Sequence, residues 1–188
     1  MAILNIAHMG NPILRQAAQP VPPKEIRARW VRSLIDDLWE TMGEYGGVGL
    51  AAPQVHRSVR IVVVGFESDA NPRYPDRESV PRMALINPVL KPLTKELSGM
   101  YEGCLSLPGL RGWVERPNLI KVKALDEKGE AIEFDAEGFA AVVLQHECDH
   151  LDGKLYVDRM KDMTRFFFDR EYDRYALASP EEDGDPDD

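Results

Sequence analysis

The order of patterns along the chain predicts an α+β fold. Strand-like apolar runs dominate the middle, helical periodicities punctuate and flank them, and no regular strand–helix alternation recurs. A chain of 188 residues that is 44% hydrophobic suits one compact body with a sizeable core.

The first helix is read over residues 24–45. After Pro22-Pro23, the residues Ile26, Trp30, Leu34, Leu38 and Met42 recur every four positions, and Gly46-Gly47 stops the pattern. RIVVVGF, residues 60–66, is β-branched and almost wholly apolar, as in a buried strand. Residues 67–82 are rich in proline and charge and read as a long surface loop. Strand runs follow at 84–90 and 119–125, the second turning through 126–129 into 131–134 as a hairpin. A second helix is predicted over 137–151, ending at Gly153; its FAAVVLQ stretch is apolar nearly all round, so it should be buried. A C-terminal helix is predicted over 161–177. Residues 1–178 are read as a single domain, and 179–188 (SPEEDGDPDD) as an acidic tail too poor in apolar surface to fold.

Charge and composition narrow the function. Six acidic residues and no basic ones lie between Glu181 and Asp188, so most of the formal charge of −9 is local. No basic block stands out, which excludes a dedicated nucleic-acid surface. There is no secretory-type N-terminus and no apolar run long enough to span a bilayer, so a cytoplasmic protein with no membrane association is expected. Two cysteines make no disulfide framework, and a reducing compartment would preserve a thiolate.

The chemistry gathers at QHECDH, Gln145 to His150. On a helix at about 100° per residue, His146 and His150 leave one face, roughly 40° apart, with Glu147 close enough to reach a water shared with their ion. Cys148 lies about 200° from His146 on such a helix and points away; it reads as a small apolar core residue. A third ligand is needed. His8 and His56 sit in polar surroundings. Cys104, in MYEGCLSLPG, follows a glycine (Gly103) that lets the backbone bend and a neighbour approach, and it is the best candidate. The longer zinc-protease pattern HExxHxxGxxH matches through Gly153 but has Tyr156 where its third histidine would stand. Glu171 lies among alternating charges and reads as a solvated position.

Three blocks, GVGLAAPQ (from Gly47 to Gln54), EGCLS (from Glu102 to Ser106) and QHECDH, together with GNPILR, resemble the bacterial peptide deformylases over residues 3–160. The resemblance implies antiparallel or mixed sheets packed around a central metal-bearing helix, one Fe2+ per chain (with Zn2+, Ni2+ or Co2+ able to substitute), and removal of formate from N-formylmethionyl nascent peptides. Cys104, His146 and His150 would hold the ion, a water activated there would attack the formyl carbonyl, and Glu147 would serve as general base and acid. The side-chain amide of Gln54 and the N–H of Leu105 would stabilise the oxyanion. Gly47, Val48 and Gly49 would let the peptide pair as an added strand. The methionine pocket maps to Arg111, Val142, Val143 and His146, with Glu102 and Gly103 beside it and Glu102 a partner for Arg111. A transient ribosome association is also implied, but Arg165, Arg170 and Arg174 are balanced by Asp169, Glu171 and Asp173, so a basic docking helix is not what this sequence provides.

Two other readings are open to the same residues. A zinc endopeptidase would cut internal peptide bonds. A structural zinc protein would need a fourth protein ligand, which Cys148 cannot supply from a continuous helix.

Overall fold

The computed structural model describes residues 2–67 and 78–176, so the acidic tail, Leu177 and the middle of the predicted 67–82 loop lie outside the described residues. Its first long helix, α1 (Arg29–Glu44), buries Val31, Leu34, Ile35, Leu38 and Met42. It begins later than the periodicity suggests, because Pro23–Glu25 forms a separate 3-10 turn. Steps of four residues drift by about 40° each on a helix of 3.6 residues per turn, so the run spirals off the buried face. Trp30 is accordingly 40% exposed, while Val31 and Ile35 take the inward positions. Gly46, at φ +60°, ends the helix; the N–H groups of Gly46 and Gly47 bond back to the carbonyls of Gly43 and Met42.

The strands are β1 (Gly49–Ala51), β2 (Ile61–Phe66), β3 (Val80–Pro92), β4 (Leu97–Cys104), β5 (Leu107–Pro117), β6 (Leu119–Leu125), β7 (Ala131–Glu137) and β8 (Phe166–Phe168). They form a five-stranded sheet in the order β1-β2-β3-β6-β7 and a three-stranded sheet in the order β4-β5-β8. All pairings within both sheets are antiparallel. The predicted hairpin is β6–β7, paired from Leu125↔Ala131 to Leu119↔Glu137.

The second helix, α2 (Gly138–Leu151), packs on one face of the larger sheet and α1 on the other. This is why β2 is apolar at every pleat: Val62, Val64 and Phe66 face the α2 side, and Ile61 and Val63 the α1 side. Each such fully buried aliphatic side chain contributes roughly 1.5–3 kcal/mol. Gly153, at φ +70°, closes α2 as predicted. A Cβ there would stand 2.8 Å from the carbonyl carbon of Arg15, so the position also needs the space.

Two elements differ from expectation. The β4–β5 hairpin was not predicted, because glycine and proline interrupt its period-two pattern. The C-terminal helix shrinks to α3 (Asp169–Glu171), continued by a wider turn through Tyr172–Ala176. Phe166–Phe168 instead pairs with β5 from Leu110 to Gly112. Three consecutive aromatic residues beside an unpaired strand edge favour the sheet over the helix.

Candidate metal centre

Two elements bring the donors together. Cys104 ends β4 at a shift in the β4–β5 register: Gly103 pairs with Arg111 but Cys104 with Leu107, so Pro108, Gly109 and Leu110 of β5 have no β4 partner there. His146 and His150 come from α2. Cys104 Sγ lies 3.3 Å from His150 Nε2. The ligand atoms of Cys104, His146 and His150 all fall within 4.8 Å of one another, and all three residues are buried. Among the described residues no fourth His, Cys, Asp or Glu joins the group. Burial by itself would raise the Cys104 thiol, but the His150 and His146 imidazoles hold it well below the ordinary thiol value. Glu102 Oε2 lies 2.7 Å from His146 Nδ1, which leaves Nε2 as the ligating nitrogen. A thiolate and two imidazoles converging at this spacing fit a transition-metal ion of the zinc or ferrous kind.

Cys148 stays out of the group. It is buried among apolar residues beneath the larger sheet, where burial raises its thiol far above the usual value. His8 and His56 are exposed. Tyr156 is fully buried, and its ring stacks on His146 at 6.1 Å between centroids.

Glu147 enters the same cavity from α2. Burial pushes its carboxyl up to about 7, and Oε2 is buried with no hydrogen-bond partner among the described residues. Gly49 of β1 makes room for it: a Cβ there would come within 2.5 Å of Glu147 Oε1. Gln54 sits in the Ala52–Val55 turn that follows β1. Its Oε1 accepts the Ala51 N–H at 2.8 Å, which turns Nε2 toward Cys104 Sγ at 3.5 Å and Ser106 Oγ at 3.2 Å. The backbone bond and the inward-facing amide therefore coexist.

The cavity at this centre is lined by Gly47, Val48, Gly49, Gly103, Leu105, Val142 and Val143, as the sequence suggested. Met100 and Phe139 also line it and were missed, since neither lies in a motif; period-two counting back from Glu102 would have found Met100.

Arg111 is placed elsewhere. Glu102 pairs across from Gly112, and Gly103 from Arg111, so Arg111 projects from the opposite face of the hairpin. It bonds Asp169 at 3.0 Å and lies over the Tyr172 ring. The partner of Glu102 is Arg116, an even number of residues beyond Gly112, with Nε to Oε1 at 2.6 Å and Nη2 to Oε2 at 3.0 Å. Among the described residues neither Gln145 nor Asp149 hydrogen-bonds a ligand histidine directly. Gln145 Nε2 bonds the carbonyls of Pro117 and Ala141, and Asp149 takes Arg116 and Arg159.

Comparison with known proteins agrees with this geometry. The family model for polypeptide deformylase matches residues 3–166. The peptide deformylase of Leptospira biflexa is 48% identical over 173 residues, covering 92% of this chain and 96% of that protein. Peptide deformylase 1 of Bordetella pertussis is 50% identical over 161 residues, 86% of this chain and 89% of that one. The Met-Ala-Ser-bound crystal structure of a class I type b peptide deformylase from Acinetobacter baumannii superposes with a TM-score of 0.81 at 42% identity, over 85% of this chain and 99% of that chain. With its motifs, its sheets around α2 and its thiolate–imidazole cluster all accounted for, the chain belongs to the polypeptide deformylase family.

Proposed function

We propose that the cavity at Cys104, His146 and His150 hydrolyses the formamide of N-formylmethionyl polypeptides, with Glu147 moving the proton and Gln54 and Leu105 receiving the oxyanion. Polypeptide deformylases are hydrolases that remove the formyl group from N-terminal formylmethionine. The observation that carries the residue assignment is Glu147: a buried carboxyl raised to about 7, with one oxygen unpartnered among the described residues, in the cavity wall beside the three donors. A group with that pKa can both take and return a proton near neutral pH.

Cys104, His146 and His150 would hold the metal ion, which when bound supplies a Lewis acid and lowers the pKa of water. Ferrous ion is the proposed occupant, on the family likeness. Glu147 takes a proton from the attacking water and passes it to the nitrogen as the C–N bond breaks, so water is consumed and formate and a free amino terminus leave. The Gln54 amide, already turned inward by Ala51, donates to the oxygen that becomes negative, together with the N–H of Leu105. Gly47, Val48 and Gly49 line the cavity where the chain enters β1, the edge strand of the larger sheet, and would let an extended peptide pair alongside it, while Met100, Phe139, Val142 and Val143 provide an apolar wall suited to a methionine side chain.

Residues 1–178 would act as one catalytic domain, with 179–188 as its acidic tail. Neither cysteine forms a disulfide, which suits a reducing cytoplasm. No helix among the described residues is long and apolar enough to cross a membrane. Contact with the ribosome would be transient.

The decisive experiment measures formate release from a formyl-Met peptide by anaerobically purified, Fe2+-loaded chain, beside Glu147→Gln. The expected result is robust release by wild type and a loss of about 10²–10⁴-fold in the variant. No release by the fully loaded wild type would end the proposal, equal rates would remove Glu147 from its role, and cleavage of internal peptide bonds would favour the endopeptidase.

A further inference from the structure

The centre is assembled from two separate pieces of chain, and a buried charge network joins them. Glu102 lies two residues before Cys104 on the same face of β4, and Asp149 directly precedes His150 on α2. Between them stands Arg116 of β5. Its guanidinium grips both oxygens of Glu102 and reaches Asp149 Oδ2 through Nη1 at 2.8 Å, with all three side chains at least nine-tenths buried. Arg159 closes the far end, with Nη2 on Asp149 Oδ1 at 2.5 Å and Nε on Oδ2 at 3.1 Å, while its own side chain is 42% exposed.

From this we infer that Arg116, Asp149 and Arg159 are positioning residues for the metal site: they hold the strand that brings Cys104 in register with the helix that brings His146 and His150. The inference rests on the metal reading of that cluster. Three features support it. The carboxylates and guanidiniums alternate as Glu102, Arg116, Asp149, Arg159, so no buried charge is left uncompensated. The contacts to Glu102 and from Arg159 are two-pronged, which fixes direction as well as distance and which lysine could not reproduce. Finally, Glu102 spends the same Oε2 on Arg116 and on His146 Nδ1, so a shift of Arg116 is passed directly to a ligand. In Asp149→Asn, Arg116 loses its charged partner on α2, so the hold of β4 and β5 on that helix loosens and the Glu102 hydrogen bond to His146 shifts with it.

The test uses the full chain with Zn2+ and Co2+ as probes. Zn2+ affinity is measured by chelator competition, Co2+ coordination by visible absorption, and thermal unfolding is followed on the metal-free protein. Asp149→Asn should lower Zn2+ affinity by about 10–100-fold, the usual cost of losing a partner behind a metal ligand, and change the Co2+ bands. Arg159→Ala should give a smaller loss in the same direction. Wild-type affinity and spectra in these variants, whatever their unfolding temperatures, would show that the network only supports the fold and would overturn the inference. Should Asp149→Asn fail to fold, the half-exposed Arg159→Ala decides alone, and unchanged affinity there is equally fatal. A wild-type chain that bound neither ion would instead sink the metal reading, a separate result.

Discussion

Cys104 and Cys148 are the same chemical group, each buried and free of any disulfide, yet the structure sends them in opposite directions. Cys104 faces two imidazoles, which hold its thiol well below the ordinary value; Cys148 faces aliphatic side chains, and burial pushes its thiol up. Burial is common to both and, acting alone, raises both. What separates them is the partner within reach, which is set by backbone geometry: a register shift at the end of a strand for one, an angle on a helix for the other. A cysteine between two histidines in sequence is therefore the wrong one to follow.

The sharpest way to break this comparison is to replace each cysteine by serine. Serine at position 104 cannot supply a thiolate, so metal affinity and formate release should fall by more than the roughly 100-fold that loss of an outer hydrogen-bonding partner costs. Serine at position 148 should leave kcat/KM unchanged and cost about 1–3 kcal/mol in stability, because a polar hydroxyl is buried where the thiol packs among apolar side chains. Chelator competition and denaturant melts check the two arms. Loss of metal in Cys148→Ser would reverse the assignment.

Next in size is Gly49→Ala, which leaves the donors alone and displaces the base. The added Cβ would meet Glu147 Oε1 at 2.5 Å and Cδ at 2.8 Å, so the carboxylate must move. A displacement of about 1 Å can cost on the order of 10²-fold in rate. We expect a fall of that order in kcat with Zn2+ affinity intact. Parallel loss of affinity would mean that Gly49 supports the ligands as well as the base.

The same contrast explains what was legible in the sequence. Helical phase alone separated Cys148 from the histidines, and the apolar run of β2 announced a strand buried on both sides, because both follow from local periodicity. Arg116 was not legible. Whether it or Arg111 faces Glu102 depends on the register of a hairpin whose glycines obscure its pattern, and that register shifts between Gly103 and Cys104 in a way that a pattern of residue types does not reveal. The C-terminal segment was misread for a related reason. Phe166–Phe168 has a helical neighbourhood in sequence, but its conformation is decided by an open edge of β5 brought to it by the fold. Cys104 was found by its chemistry, whereas Met100 and Phe139 carry none and became visible only as cavity walls.

The smallest effect concerns Tyr156, the residue standing where a zinc protease would place a third histidine. Its hydroxyl is buried without a hydrogen-bond partner among the described residues, and burial holds it protonated far above the ordinary tyrosine range. The ring itself is useful: it stacks against His146 with 21° between the planes. A buried hydroxyl left unpaired costs about 1–3 kcal/mol, and removing it while keeping the ring should recover part of that. Tyr156→Phe should therefore raise the denaturation midpoint, with the slope of unfolding, Zn2+ affinity and formate release all unchanged. A lower midpoint would show that the hydroxyl has a bonded water, and a lower Zn2+ affinity would show that it acts on His146. Either outcome would make Tyr156 part of the centre, and the two-histidine, one-cysteine account would have to widen to include it.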